Sequence, residues 1–306
     1  MSELPSVTVV IPTRDRPLLL ARAIESIVAQ DYEGRIECLV VADRSDAALP
    51  DLRLPPNRAV DAIVNAREPG LAGARNTGCL AADGDLIAFC DDDDEWLREK
   101  LRRQVDALRA LGAPALMSCG IELCRGSRTR LLVPERETLV LRDVLRARHP
   151  EFHPSTFLVP RTHLLDGIGL LDEKLPGSYA EDYDLLIRAA RIGLVASVFE
   201  PLVRVHAPTG SSWFAGRWTT IVAALQYLLD KHPEFASEPR GRARLYARLA
   251  FGYAALGQRG KSRAWARRSI VNDPRQVRGY VALLASAGVA PAAAIERAGT
   301  WLGKGM

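Results

Sequence analysis

No stretch of this 306-residue chain stays apolar for the roughly 18 residues that a membrane-spanning helix needs. The opening, MSELPSVTVVIPTRDRP, has no basic segment followed by a long apolar core, so a cytoplasmic location is the default expectation. Cysteine is scarce and odd in number. Cys38, Cys79, Cys90, Cys119 and Cys124 sit mostly inside apolar runs without CxxC spacing, and they read as reduced core residues rather than disulfide partners or zinc ligands. A strong net charge is also missing, at +4, while 48% hydrophobic content suffices for one large core or a core plus a small second domain.

The mild net charge hides an asymmetry. Residues 1–216 carry 26 Lys+Arg against 32 Asp+Glu, whereas residues 217–306 carry 15 against 5. A basic tail on an acidic body points to an anionic partner for the tail, either a phosphorylated acceptor or the anionic surface of a membrane. A solvated, arginine-rich helical surface gives the same count. Nothing in the pattern calls for a nucleic acid.

What is present alternates. SVTVVIP is a β-branched run closed by a proline, RPLLLARAIESIVAQ has apolar residues at helical spacing, and IECLVVADRS reads as a second strand. LAGARNTGCLAAD follows as a short helix, LIAFC as a third strand, WLREKLRRQVDALRAL as a helix from Trp96, and PALMSCGIELC as a further strand. FHPSTFLVPRTHLLDGIG runs from an extended part into a short helix. LPGSYAEDYDLLIRAARIG enters a helix with Glu181 and Asp182 in its first turn, and LVASVFEPLVRVHAP is extended with His206 near its end. Nearly continuous apolar strands alternating with helices imply an α/β fold with a mostly parallel sheet covered on both faces. Ligands of such sheets gather at the carboxyl ends of the strands. Thr13 to Asp15, Asp43 to Ser45 and Asp91 to Asp94 each follow such an end, so three polar loops are expected to face one crevice.

From about residue 214 the texture is helical throughout, including a last segment, PAAAIERAGTWLGK. ARLAFGYAALGQRGKSRAWARRSIVNDP resembles one tetratricopeptide helix pair, too few for an independent solenoid, so a helical cap is expected. The expected division is 1–213 for the α/β domain and 214–306 for the all-helical one.

The run GDLIAFCDDDDEW carries four adjacent carboxylates. They repel one another, which suggests a compensating cation, and hard oxygen ligands suit Mg²⁺ or Mn²⁺ completed by substrate phosphates and water. An acidic cap on the following helix is the alternative.

In order and spacing, VVIPTRDRP, LVVADRS, GLAGARNTG, FCDDDDEW and AEDYDLLIR resemble the family 2 glycosyltransferases of the GT-A, Rossmann-like fold, over roughly residues 6–210. The resemblance implies a metal-dependent, inverting transfer of a single sugar from a nucleotide diphosphate sugar to an acceptor hydroxyl, a hexosyltransferase-type activity (EC 2.4). UDP-sugars are the first choice of donor, with GDP- or dTDP-sugars as alternatives. It further implies that Pro12, Thr13 and Arg14 lie beside the nucleotide, that Asp43 contacts base or ribose, and that Arg75 and Asn76 border the donor. Asp91 and Asp93 align with the DXD motif, Asp91 nearer the donor sugar or ribose and Asp93 the stronger metal ligand, with Asp92 between them beside the donor. His206 matches a histidine that some members place near metal or diphosphate. In the ED motif, Asp182 aligns with the base and Glu181 with its supporting acid. The chain departs from the usual DDGS stretch, with Ala42 for its first acid and Arg44 for its glycine.

A glycoside hydrolase would use two carboxylates without a nucleotide crevice or a metal-suited acid cluster. A nucleotidyltransferase has no use for the ED acids, and no Walker-type loop is present. The remaining alternatives are an inactive fold binding through its basic tail, and a transferase whose acceptor is a peptide or natural product rather than a saccharide or glycolipid of surface polysaccharide or lipopolysaccharide. Lacking spans, the chain would reach a lipid-linked acceptor from the inner face of the cytoplasmic membrane, through residues 217–306.

Overall fold

A computed structural model of the chain describes residues 4–46, 48–207 and 216–287. The chain forms two compact units. The first comprises Met1–Val140, His149–Glu173 and Glu181–Gly210; the second comprises Leu141–Arg148, Lys174–Ala180 and the chain from Ser211 onward. The helical unit thus takes in two short stretches ahead of residue 214 that the sequence pattern does not single out.

The first unit is a mixed α/β sheet of ten strands with helices around it. In chain order it contains β1 (Val7–Thr13), α1 (Pro17–Val28), β2 (Ile36–Ala42), β3 (Arg58–Val64), α2 (Leu71–Ala81), β4 (Leu86–Phe89), β5 (Glu95–Trp96), α3 (Lys100–Ala110), β6 (Leu116–Arg125), β7 (Arg128–Leu132) and β8 (Thr138–Leu139). The second unit contributes α4 (Leu141–Arg146), after which β9 (Leu158–Pro160), α5 (Glu181–Ile192) and β10 (Val195–His206) complete the first. The strand order is β3-β2-β1-β4-β9-β6-β10-β5, with β7 on β6 and β8 on β10.

β1 is buried along its whole length and β2 nearly so, as expected for strands covered on both faces. Pro12 lies beyond the last β1–β4 pair, Val10 with Phe89, where its missing N–H removes no ladder bond. Gly78 lets α2 lie against the sheet, since a Cβ there would come within 2.4 Å of Val10 Cγ1. β1, β2, β3 and β4 run parallel, and β6 and β10 pair in parallel. Between these two groups sits β9, antiparallel to both β4 and β6. Three residues long, β9 gives too short a pattern to be read from sequence. The edge strand β3 escapes for another reason: it is half-exposed, and Asp61 interrupts its apolar run.

The helix expected from Trp96 begins instead at Lys100. Glu95 and Trp96 pair antiparallel with Arg204 and Val203 of β10, and the buried Trp96 indole N–H donates to the Ser155 carbonyl at 3.0 Å. That anchoring holds the residues after the aspartates extended.

The second unit adds α6 (Trp218–Lys231), α7 (Pro239–Ala255), α8 (Arg259–Asn272) and α9 (Val277–Ser286). Ala250, Ala266 and Ala282 form a close-packed seam among α7, α8 and α9, flanked by Phe251, Trp265 and Leu283. Small side chains bring helix backbones together, and Ser269 Oγ donates to the Ala243 carbonyl at 2.8 Å across α7 and α8. The helix expected in 291–304 lies outside the described residues. Among the described residues, no helix is long and apolar enough to cross a membrane.

Candidate active site

The carboxyl ends of β1 and β4 meet the helix α2 and the turn Pro154–Thr156 that precedes β9. Thr13, at the end of β1, donates from Oγ1 to Asp92 Oδ2 at 2.8 Å. Arg16 Nη1 reaches Asp92 Oδ1 and Asp93 Oδ2, each at 3.1 Å. Arg75, 1% exposed, donates from Nη2 to Asp91 Oδ1 and from Nη1 to Glu181 Oε1, both at 2.5 Å. One guanidinium therefore ties the acids after β4 to the acids opening α5.

Asp94 takes different partners from Asp93. Its Oδ2 accepts from Ser155 Oγ at 2.5 Å and lies 3.3 Å from His153 Nδ1, while His153 Nε2 is 4.0 Å from Asp91 Oδ2. Asp91, Asp94 and His153 each offer a ligand atom within 4.8 Å of the others. Two carboxylates and a neutral imidazole suit a divalent cation such as Mn²⁺ or Mg²⁺. The charges agree with that fit. Burial, joined by Asp91, raises Asp94 well above the usual carboxylate range. Burial also raises Asp92, and raises Asp93 together with repulsion from Asp91 and Asp92. Asp91 is the exception: burial pushes it up, but Arg75 and His153 outweigh this and hold it low. Burial lowers His153 despite the attraction of Asp91, which favours the neutral ring that ligates metals.

The expected ligands Asp93 and His206 stand outside this trio. Asp93 is turned to Arg16, and His206 Nε2 lies 2.7 Å from Glu95 Oε1; only the His206 backbone N–H, at 3.4 Å, touches Asp94. Of the expected donor residues, Pro12 is buried within β1 and Arg14 is exposed, 4.0 Å from Asp15. Asp43 is buried and accepts from Asn65 Nδ2 at 2.8 Å, its own N–H donating to the Thr13 carbonyl at 3.0 Å. Asn76 commits its amide to the chain at 171–173, exchanging two 2.8 Å bonds with the Leu171 backbone and donating to Glu173 Oε1 at 2.6 Å. Arg44 takes a left-handed φ of 56°, the conformation a glycine would adopt without cost.

Burial raises Glu181 to about 7, against the pull of Arg75 and with repulsion from Asp182 adding to it. Asp182 is half-buried in the first turn of α5, and its Oδ1 accepts from the Tyr183 N–H at 2.8 Å. Its charge is felt at His153, so the ED acids and the aspartate cluster share one site. Sequence reasoning misses His153, Ser155, Arg16 and Glu173. The only trace of the first two is a His-Pro-Ser step ahead of a short apolar run, which does not set them apart from loop residues.

Residues 8–157 match the family described as Glycosyl transferase family 2. Over these residues the chain carries a family 2 glycosyltransferase domain. The chain is 27% identical over 211 residues to an uncharacterized glycosyltransferase of Rickettsia prowazekii, covering 66% of this chain and 65% of that protein. It is 30% identical over 123 residues to a GalNAc(5)-diNAcBac-PP-undecaprenol beta-1,3-glucosyltransferase of Campylobacter jejuni, covering 39% and 40% of the two chains. In fold it resembles TarS residues 1–349 of S. aureus in complex with UDP-GlcNAc, at a TM-score of 0.59 and 16% identity, over 89% of this chain and 82% of the other. It also resembles the mannosyltransferase PcManGT of Pyrobaculum calidifontis in complex with GDP-Man and Mn²⁺, at 0.52 and 21%, over 98% and 81%.

Proposed function

We propose that this glycosyltransferase moves a single sugar, with inversion, from a nucleoside diphosphate sugar to an acceptor hydroxyl, with a divalent cation. The observation that carries the reading is Arg75, which draws the acids after β4 and the acids of α5 into one site. Thr13, Arg14 and Asp43 would hold the nucleotide, with UDP favoured by the TarS complex and GDP by the mannosyltransferase complex. Asp91, Asp94 and His153 would hold the cation, with Asp93 paired to Arg16 beside them. Bound there, the cation would neutralise charge on the departing diphosphate.

Asp182 is the proposed base. Its carboxylate takes the proton from the attacking hydroxyl as the oxygen bonds to the anomeric carbon, on the face opposite the bond to the departing nucleoside diphosphate. A helix start holds such a carboxylate rigidly, and Glu181, tied to Arg75, fixes the first turn of α5. The proposed acceptor is a saccharide, free or lipid-linked, reached from the cytoplasm, a reading supported by relatives named for polysaccharide and glycolipid synthesis. Peripheral membrane attachment through the basic helical unit belongs to the same proposal. The paired helices α7 and α8, close-packed on small residues, support a single tetratricopeptide-like unit there.

Thermal shift against UDP-, GDP- and dTDP-sugars, with and without Mn²⁺, tests the reading. A metal-dependent rise in Tm with one nucleotide class is expected, and Asp182→Asn should keep that rise while lowering turnover about 100-fold or more. No shift with any nucleotide, metal present, would overturn it.

A further inference from the structure

The helical unit holds a concentration of positive charge for which sugar transfer has no use. Arg146, Arg148, Arg240, Arg244 and Arg278 line one pocket of about 380 Å³, and among the described residues Asp273 is the one carboxylate in its wall. Asp273 is occupied locally, accepting from the Arg275 N–H at 3.0 Å at the end of α8. Neighbouring arginines are neutralised or engaged: Arg142 lies 3.2 Å from Glu238, and Arg242 donates to Asn272 at 2.8 Å. By contrast Arg146, Arg240 and Arg278 have no ion pair among the described residues.

The pocket is built rather than incidental. Gly241 brings the start of α7 onto the end of α4 so closely that a Cβ there would stand 2.0 Å from the Leu145 carbonyl oxygen. That contact fixes Arg240 beside Arg146. The start of α9 supplies Gln276 and Arg278 to the same pocket. α9 has neither an acid in its first turn nor a side-chain cap on its free N–H groups, so its positive end adds to the arginines, whereas the N-cap of α7 is Glu238. Arg278 is half-buried, and burial together with Arg248 and Arg244 lowers its proton affinity below that of an ordinary arginine. Like charges held this close are stabilised by a ligand of opposite charge.

We propose that this pocket binds a phosphoryl group carrying two or more negative charges, with a diphosphate as the best fit. Guanidinium forks meet phosphate oxygens in pairs, and arms arriving from α4, α7 and α9 suit a tetrahedral, multiply charged group better than a flat carboxylate. The volume exceeds what a single carboxylate fills. The assignment is independent of the donor site, because none of these residues takes part in it.

Calorimetric titration of sodium pyrophosphate into the full chain, in EDTA at fixed ionic strength, tests it. Saturable binding is expected, weakened at least tenfold in Arg240→Gln/Arg278→Gln, with Tm and the separately measured UDP–Mn²⁺ response unchanged. If the double variant fails to fold, Arg146→Gln, on the exposed end of α4, repeats the comparison with a smaller expected loss of about threefold. Sedimentation with phosphatidic acid vesicles, whose phosphomonoester head group can carry two charges, competed by pyrophosphate, distinguishes the sources. Co-sedimentation lost in the variant assigns the group to a lipid head group, and its absence beside intact pyrophosphate binding assigns it to a soluble phosphorylated glycan. No pyrophosphate binding by the unaltered chain, or binding within twofold in the variants, overturns the proposal whatever the UDP–Mn²⁺ response.

Discussion

Arg75 and Glu181, 106 positions apart in sequence, meet at 2.5 Å, and the other arm of the same guanidinium holds Asp91 at 2.5 Å. Removing the cation from this buried arrangement leaves two carboxylates without a counter-charge. Arg75→Met should therefore destabilise the protein by about 3–5 kcal/mol in urea unfolding. Arg75→Lys should recover little, since an ammonium lacks the planar fork that serves two partners. Adding Glu181→Gln to Arg75→Met should restore part of the loss. A loss below about 1 kcal/mol for Arg75→Met would mean that the pair is not formed in solution.

The different partners of Asp93 and Asp94 give a second prediction. Asp94→Asn and His153→Ala should each abolish the Mn²⁺-dependent rise in Tm, whereas His206→Ala should keep it. Asp93→Asn should weaken it less than Asp94→Asn does. Without metal, Asp94→Asn should be at least as stable as the parent, because it removes a buried carboxylate crowded by Asp91. An Mn²⁺ response that survives Asp94→Asn and vanishes with Asp93→Asn would return the ligand role to Asp93.

Arg44 holds φ at 56° with a long side chain. Left-handed backbone costs a non-glycine residue about 1 kcal/mol, part of which a glycine gives back in the unfolded chain. Arg44→Gly should be neutral to about 1 kcal/mol stabilising, and Arg44→Val destabilising by about 1 kcal/mol or more. Chemical denaturation of the two variants side by side checks the sign.

Lys100 is fully buried, its Nζ 2.8 Å from Gln104 Oε1 and 3.7 Å from the centre of the Trp96 ring. Burial lowers it from 10.5 to about 8. Between those values the unfolded chain holds a proton that the native protein has released, so stability should rise with pH across that window, by up to about 1.4 kcal/mol per unit. In Lys100→Met this rise should disappear. A parent protein whose stability is flat from pH 8 to 10.5 would show that the Trp96 face keeps Lys100 charged without cost.

What was legible in the sequence followed from burial on both faces. β1, β2, β4, β6 and β10 read as strands because their apolar runs are nearly unbroken, and the loops after them could be placed on one side by topology alone. The aspartates after β4 and the acids opening α5 were visible as residue types. Their geometry was not. Which carboxylate turns to Arg16 and which to His153 depends on the short strand β5 and on β9, and strands of two or three residues carry no period. His153 was hidden for the same reason, since its role comes from the antiparallel placement of β9 beside β4. The arginines of α4, α7 and α9 registered only as a count, because a pocket requires three helix ends to converge.

The partners of the Asp94 carboxylate all arrive later in the chain. Ser155 follows it by 61 positions and the His206 amide by 112. A ribosome working at roughly 5–20 residues per second needs about 6–20 s to deliver that span. For that interval the nascent polypeptide presents four aspartates at the end of a strand whose neighbour β9, or the segment bearing it, has not yet been made or threaded between β4 and β6. The centre of the sheet is thus completed by a segment from just past the midpoint of the chain, so that cotranslational folding of the N-terminal half should stop short of a closed site.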